Sequence, residues 1–141
     1  MGLNTRLTYK KLDLYAQGRV SVGNYVYNGV AAGAYYDNFY YPVGYFNNLP
    51  KYINDTKFGS WQGFSDYYVQ NASFFKMDNI SLGYNADKLF TEKLKARFSF
   101  TVQNAFFVTK YKGIDPEVDG GIDNNIYPRP RVFVLGINLT Y

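Results

Sequence analysis

The sequence contains no cysteine, no histidine and a single tryptophan. These absences exclude a disulfide framework, a Cys/His zinc site, a catalytic thiol and a histidine general base from this segment. Carboxylate pairs can act without histidine, as in glycosidases, but the acidic residues lie in predicted loops and no motif pairs them. We therefore expect no catalytic residues, no cofactor and no metal, and we predict that the chain is not an enzyme.

Long apolar runs and blocks of like charge are also missing. No stretch approaches the roughly 20 apolar residues of a transmembrane helix. The net charge of +4 is spread along the chain without a basic run, so we expect no nucleic-acid partner. Residues 1–6 contain no apolar signal-peptide core. If the protein is exported, we therefore expect this chain to be a fragment.

Aromatic residues and glycine are abundant instead. Aromatics make up 21% of the chain, with 16 tyrosines and 12 phenylalanines, and there are 13 glycines. Tyrosine and phenylalanine favour strands, whereas glycine favours the turns between them. This composition indicates an all-β chain with long loops.

Period-two alternation of apolar and polar residues is the strongest local pattern. It predicts five strands, at residues 2–9, 11–22, 73–85, 94–103 and 131–141. The alternation changes parity inside the third strand, because Phe75 and Ile80 fall on opposite faces. A β-bulge near Asp78-Asn79 would restore one apolar face.

The strand lengths and connections favour a membrane barrel. Several strands reach the ~9–11 residues of a tilted membrane-spanning strand, and the connections alternate between short and long. The short ones are the turn Tyr9-Lys10-Lys11 and the link at residues 85–93. This alternation of short and long connections predicts a periplasmic C-terminus and two long extracellular loops. Five strands cannot close such a barrel, so we expect more chain upstream.

Three ordered motifs carry a family resemblance. Residues 72–84 resemble a strand built on a basic residue, one hydrophobic residue, asparagine and then I-[ST]-L-G-Y. Residues 101–111 are similar to a "GQNLFTITKY" strand end, and residues 115–117 to a "DPE" loop entry. Residues 127–141 are similar to a closing "YPxPRxFxLGLNLxF". The chain therefore resembles the SusC/RagA-type TonB-linked outer-membrane receptors, departing from the motifs at Val102 and Tyr141.

The resemblance implies a barrel of about 22 strands with an N-terminal plug. It also implies energy coupling through TonB, a SusD-like lipoprotein lid, and oligosaccharide or peptide cargo. Residues 1–141 would be the C-terminal barrel segment of such a receptor, an incomplete domain without plug or most strands. The fold expected is all-β, with about five antiparallel strands from the end of a large transmembrane β-barrel in a bacterial outer membrane.

The terminal strand carries an apolar row with two compatible roles. The resemblance implies that the barrel-assembly machinery recognises it, and the alternation indicates that it faces outer-membrane lipid and ends in an interfacial aromatic. The row consists of Phe133, Leu135, Ile137, Leu139 and Tyr141.

The long connection between the second and third strands is crowded with aromatic rings. Exposed rings stack on sugars and anchor protein partners, but a long loop also uses rings for a small core of its own. Trp61 lies in a Gly-Ser-Trp-Gln-Gly context that favours exposure. The candidates for contact with cargo or a lid are Trp61, Tyr40, Tyr41 and Tyr45.

Two charged features have functional and structural interpretations. The inward face of the strands is basic, with only Asp13 as an acidic partner. A basic wall is suited to anionic cargo, but charge balance by absent segments is the favoured interpretation. The basic residues of this face are Arg6, Lys11, Arg19, Lys95 and Arg97. Residues 115–123 hold four acids, yet their spacing is not that of a calcium-binding EF-hand, and a solvated turn is favoured.

The rival interpretation is a soluble β-sandwich that binds carbohydrate through surface tyrosines. It explains the aromatic loops and the missing signal peptide. It does not explain the long alternating strands, the connection rhythm or the three ordered motifs.

Overall fold

The computed structural model describes residues 1–34, 51–86, 94–124 and 126–140. Its strands are β1 (Gly2–Tyr9), β2 (Leu12–Ser21), β3 (Tyr25–Asn28), β4 (Val69–Asn71), β5 (Phe74–Ala86), β6 (Lys95–Thr109), β7 (Ile122–Asp123) and β8 (Val132–Thr140). One-turn helices α1 (Gly29–Ala32) and α2 (Ile53–Thr56) and 3₁₀ turns at Asp66–Tyr68 and Asp119–Gly121 complete the elements. The chain forms two compact units, unit 1 (Met1–Val22, Ser73–Thr109, Arg129–Tyr141) and unit 2 (Gly23–Ala72, Lys110–Pro128).

Unit 1 is a single antiparallel sheet with strand order β1-β2-β5-β6-β8. All five strands predicted from the alternation are confirmed. The register aligns the apolar residues of every strand in rows across the sheet. One such row is Leu7, Leu14, Leu82, Phe100 and Leu135, each opposite the next. One residue further along lies the row Thr8, Asp13, Gly83, Ser99 and Gly136, which points to the opposite face.

The predicted bulge is confirmed at Asp78. The pairing of β2 with β5 shifts between Gln17 and Gly18, and that of β5 with β6 shifts between Met77 and Asn79, so Asp78 has no partner in either ladder. Since one residue is inserted, Met77 returns to the apolar face.

Strand β6 continues six residues beyond the predicted end at residue 103. Asn104 lies opposite the bulge and has φ of 51°, so the regular strand geometry of β6 is interrupted there. Beyond this point β6 pairs with β5 again, as far as Thr109. At the other end of the sheet, a turn at Lys10-Lys11 joins β1 to β2, and Lys10 has φ of 53°. Residues 87–93 of the predicted short link lie outside the described residues.

Gly83 makes room for a polar network on the face of the sheet opposite the apolar rows. Arg97 Nη2 lies 2.7 Å from Asp13 Oδ2, and Arg97 Nη1 donates to Asn85 Oδ1 at 3.3 Å. A Cβ added to Gly83 would lie 2.6 Å from both Arg97 Nη2 and Asp13 Oδ1. The ion pair therefore occupies the space that a side chain at residue 83 would need.

Unit 2 contains a small three-stranded sheet with order β4-β3-β7. Strand β3 pairs antiparallel with β4 and parallel with β7. The sequence did not predict these strands, because two to four residues are too few to establish an alternation.

Two small clusters form the core of unit 2. Val26, Ala72 and Tyr111 form one, with Val118 packed against it. The other consists of Ala31, Ala32 and Tyr68, with Tyr27, Tyr52 and Phe58 packed against it. The interpretation that some of the loop's rings build its own core is therefore correct for these tyrosines and Phe58.

A buried hydrogen bond closes the first cluster. The Tyr111 hydroxyl donates to Asp123 Oδ2 at 2.6 Å, and both residues are buried. Burial, together with the bond to the carboxylate, raises the pKa of Tyr111 well above its usual value, so this phenol stays a donor.

We predict that Gly83→Ala destabilises the sheet. Glycine in a strand interior is ordinarily a weak choice, so alanine should stabilise a strand by ~0.5–1 kcal/mol where space allows. At Gly83 the added methyl group displaces the Arg97–Asp13 pair, and we expect a net loss of about 1–3 kcal/mol. The measurement is thermal unfolding of the intact protein. Gly2→Ala is the matched control, because its Cβ position in β1 has no atom within 4 Å. Equal melting temperatures of the Gly83→Ala and Gly2→Ala variants would contradict the prediction.

We predict that Tyr111→Phe loosens unit 2. The change removes the donor to the buried Asp123 carboxylate, at a cost of about 1–3 kcal/mol. Hydrogen–deuterium exchange should become faster in the peptides that contain Val26 and Ala72, which pack with Tyr111. Tyr127→Phe, at an exposed tyrosine, is the control. Unchanged protection in Tyr111→Phe would argue against this role of the hydroxyl.

Candidate functional surfaces

The apolar face of unit 1 is exposed along its whole width. Leu135 is 82% exposed, and Phe133, Ile137 and Leu139 beside it are also exposed, while Tyr141 lies outside the described residues. Phe100 and Phe133 stack across the β6–β8 pair, with ring centroids 6.3 Å apart. Water-soluble monomers rarely expose so many large apolar side chains on one contiguous face. This face is suited to contact with lipid.

The opposite face is polar and partly neutralised by ion pairs. Besides Arg97 and Asp13, Arg19 binds Asp78 through two bonds of 2.7 and 2.8 Å. The expectation that only Asp13 opposes the basic residues is therefore wrong. The bulge turns Asp78 toward Arg19, and a strictly alternating pattern could not show this.

The predicted exposure of Trp61 is confirmed. Its side chain is 56% exposed and meets the ring of Phe64 edge-on at 6.0 Å, and Phe64 is 92% exposed with φ of 62°. Trp61 also covers the position that a Cβ on Gly63 would occupy. Contact of Trp61 with cargo or a lid stays a prediction. Tyr40, Tyr41 and Tyr45 lie outside the described residues.

Unit 2 contains a cavity of about 480 Å³ that the sequence did not predict. Tyrosines from the 51–68 segment line it together with carboxamides of β4 and the first residues after β6. Its lining residues include Tyr52, Tyr67, Tyr68, Gln70, Lys110 and Lys112. These tyrosines were visible only as members of an aromatic-rich loop. Nothing in the sequence joins them to two lysines some forty residues later.

The acidic loop serves the local structure. Asp115 Oδ1 accepts the Glu117 backbone N–H at 2.9 Å, and both Asp115 and Asp123 are buried. The prediction of a solvated turn is therefore wrong for these two residues. Within the described part of the chain, no group of three or more His, Cys, Asp or Glu residues could hold a metal ion. No helix among the described residues is long and apolar enough to span a membrane.

Sequence comparison relates the whole chain to TonB-dependent receptors. TonB-dependent receptor SusC of Bacteroides thetaiotaomicron is 39% identical over an alignment 153 residues long that covers 100% of this chain. TonB-dependent receptor P3 of Formosa agariphila is 28% identical over 165 residues, again covering 100% of the chain. The chain spans only 15% and 16% of the length of these relatives. No protein-family model matches the chain.

Solved structures show the same relationship in three dimensions. The RagAB peptide importer in its open-open state superposes with a TM-score of 0.77 at 27% identity, over 99% of this chain and 17% of the importer chain. A structure of the RagAB peptide transporter gives a TM-score of 0.75 at 29% identity, over 94% and 16% of the two chains.

These relatives agree with the antiparallel sheet of unit 1. They are named as receptors and importers rather than as enzymes. TonB-dependent receptors are outer-membrane proteins with barrel walls of antiparallel strands. The chain belongs to the SusC/RagA-like TonB-dependent receptors and corresponds to a C-terminal segment of such a receptor.

Proposed function

We propose that this chain forms part of the barrel wall and external loops of a TonB-dependent outer-membrane transporter that imports oligosaccharide or peptide nutrients. The observation that carries the proposal is the two-sided sheet of unit 1. One face presents continuous apolar rows such as Leu14, Leu82, Phe100 and Leu135, and the other presents ion-paired polar residues. A barrel wall between lipid and a polar lumen needs this asymmetry.

The open edges of the sheet support an incomplete domain. β1 and β8 each have only one neighbouring strand in the described sheet. Unpaired strand edges are not tolerated in the hydrocarbon region, because each unsatisfied backbone group costs several kcal/mol there. Residues 1–141 are accordingly the C-terminal barrel segment of a longer receptor, whose plug and other strands lie outside this chain.

The connectivity supports an orientation. The two segments of unit 2 connect β2 to β5 and β6 to β8, and in an antiparallel sheet both connections leave the same end. The Lys10-Lys11 turn lies at the other end. Outer-membrane barrels have long extracellular loops and short periplasmic turns, so unit 2 is extracellular and the C-terminus is periplasmic.

The partners follow from the family and from the terminal strand. The barrel-assembly machinery recognises the row Phe133, Leu135, Ile137, Leu139 and Tyr141, which then faces outer-membrane lipid. A SusD-like lipoprotein covers the receptor, and TonB energises it through segments outside this chain. Trp61, Tyr40, Tyr41 and Tyr45 are the proposed contacts with cargo or lid. The RagAB structures are those of a peptide importer, which supports peptide cargo, and oligosaccharide is the second proposed cargo class.

The soluble β-sandwich is less well supported. A sandwich buries one face of each sheet against another sheet. Here the residues of the apolar face remain exposed, including Leu7, Leu135 and Ile137. A soluble carbohydrate-binding module would have no reason to keep this face uncovered in water.

Transport is tested with the full-length receptor gene in its own bacterium. Deletion should abolish uptake of the nutrient on which the gene is induced, and the wild-type gene should restore uptake only when TonB is present. Uptake restored equally without TonB would overturn the proposed energy coupling.

The orientation is tested by single-cysteine labelling of the full-length receptor, in which residues 1–141 contribute no native cysteine. We expect Ser60→Cys to react with a membrane-impermeant maleimide on intact cells. Lys10→Cys should react only after the outer membrane is permeabilised. Both positions are exposed, so burial does not confound the comparison. Labelling of Lys10→Cys on intact cells with protection of Ser60→Cys would reverse the orientation.

The lipid-facing row is tested by Leu135→Arg. An arginine near the bilayer midplane costs about 2–4 kcal/mol on the lipid face, so the yield of heat-resistant folded barrel should fall. Val134→Arg is the matched control, because the neighbouring residue of the same strand points to the polar face. Normal yield of Leu135→Arg, or equal loss in both variants, would sink the assignment of the lipid face.

A further inference from the structure

The cavity of unit 2 has the size of a small-ligand site. Its volume of about 480 Å³ lies within the roughly 300–1,000 Å³ typical of such sites. It is formed by two segments distant in sequence, since Tyr67 and Gln70 belong to the first long connection and Lys110 and Lys112 to the second.

Tyr67 provides a fixed aromatic surface at this cavity. Its ring meets Phe58 edge-on at 5.8 Å and Tyr68 edge-on at 5.2 Å, with interplanar angles of 80° and 89°. Tyr67 is nevertheless 54% exposed. Two edge contacts therefore hold the ring in one orientation while much of its surface stays available for stacking on the apolar face of a sugar.

The polar lining is held in place by bonds within the unit. Gln70 Oε1 accepts the Lys112 backbone N–H at 3.1 Å, which leaves the Nε2 group of Gln70 as a donor and ties the lysine segment to β4. The Tyr52 hydroxyl donates to Ala31 O at 2.9 Å. Tyrosine hydroxyls are uncharged at neutral pH, and burial raises the pKa of Tyr52 and of Tyr68 further above their usual value. A carboxamide and neutral phenols are suited to hydrogen bonds with sugar hydroxyls.

The charge of the lining is of one sign. Lys110 and Lys112 contribute two ammonium groups, and none of the described residues that line the cavity is acidic. Both lysines are exposed, so their side chains can reach a ligand without prior burial of charge. This arrangement favours a ligand with negative charge beside its hydroxyl groups.

We propose that this cavity is a binding subsite for an acidic saccharide, a sugar that carries a carboxylate or a sulfate group. Tyr67 stacks on the ring, Gln70 and Tyr52 contact hydroxyl groups, and the ammonium groups of Lys110 and Lys112 bind the anionic group. The role of this subsite in uptake rests on the proposed function, whereas binding itself requires only the folded receptor.

The test is isothermal titration calorimetry on the full-length receptor in detergent. The probes are tetragalacturonate for carboxylates, a chondroitin sulfate tetrasaccharide for sulfates, neutral maltotetraose, and tetraglutamate as an acidic peptide. We expect one of the two acidic saccharides to bind at least about tenfold more tightly than maltotetraose, since each charge-assisted bond is worth about one factor of ten.

Variants connect the affinity to the cavity. The double variant Lys110→Gln/Lys112→Gln should weaken acidic-saccharide binding about tenfold or more. Lys51→Gln/Lys57→Gln removes the same charge from exposed lysines of unit 2 that do not line the cavity, and it should leave the affinity unchanged.

A second pair of variants tests the aromatic surface. Tyr67→Ala should weaken saccharide binding about tenfold through loss of stacking. Tyr25→Ala, at an exposed tyrosine of β3 outside the cavity lining, is its control. Normal heat-resistant migration of every variant shows that the barrel is folded.

Three results would overturn the proposal. They are absence of binding by both acidic saccharides, equal loss of affinity in the control variants, and lysine-dependent binding of tetraglutamate without saccharide binding, which would assign the cavity to peptides. Failure of the proposed function is distinguishable. If the receptor binds the saccharide through Lys110 and Lys112 but TonB does not affect uptake, the subsite stands and the transport proposal fails.

Discussion

The backbone hydrogen-bond ladder of unit 1 is the constraint on which the rest of the structure depends. A strand in contact with lipid cannot pair its N–H and C=O groups with water, so each group must bond to a neighbouring strand. The central strands β5 and β6 pair from Phe74, which lies opposite Thr109, to Ala86, which lies opposite Ala96. Because side chains alternate along every strand, this register places the apolar rows on one face and the ion pairs Arg97–Asp13 and Arg19–Asp78 on the other.

The bulge at Asp78 shows how a local irregularity serves the same constraint. Without the inserted residue, Phe75 and Met77 would point to the polar face and break the apolar surface. With it, the surface continues and an acidic side chain becomes the partner of Arg19. One inserted residue thus keeps the apolar face continuous and reduces the positive charge of the other face.

Unit 2 is under a different constraint, since its strands are only two to four residues long and its segments must pack largely without them. It uses small residues such as Ala31 and Ala72, one-turn helices and the buried Tyr111–Asp123 bond. Tyr52, Tyr67 and Tyr68 line the proposed saccharide subsite together with two lysines, and of these three rings only Tyr67 lies outside the second core cluster. Core and subsite share Tyr68, which packs with Ala31 and Ala32 and also lines the cavity. Ligand recognition and the stability of the unit are therefore expected to be coupled at this tyrosine.

The five long strands, the Asp78 bulge, the exposed apolar row and the family could be predicted from the sequence. Each depends on period-two alternation or on short contiguous motifs, so the residues that produce the pattern are close together in the sequence. The short strands of unit 2, the Arg19–Asp78 pair and the cavity of Tyr67, Gln70, Lys110 and Lys112 could not. They join residues that are far apart in sequence, and only the closure of long connections brings such residues together. Local pattern therefore determined the sheet and its two faces, whereas tertiary structure decided which charges pair and where a ligand can bind.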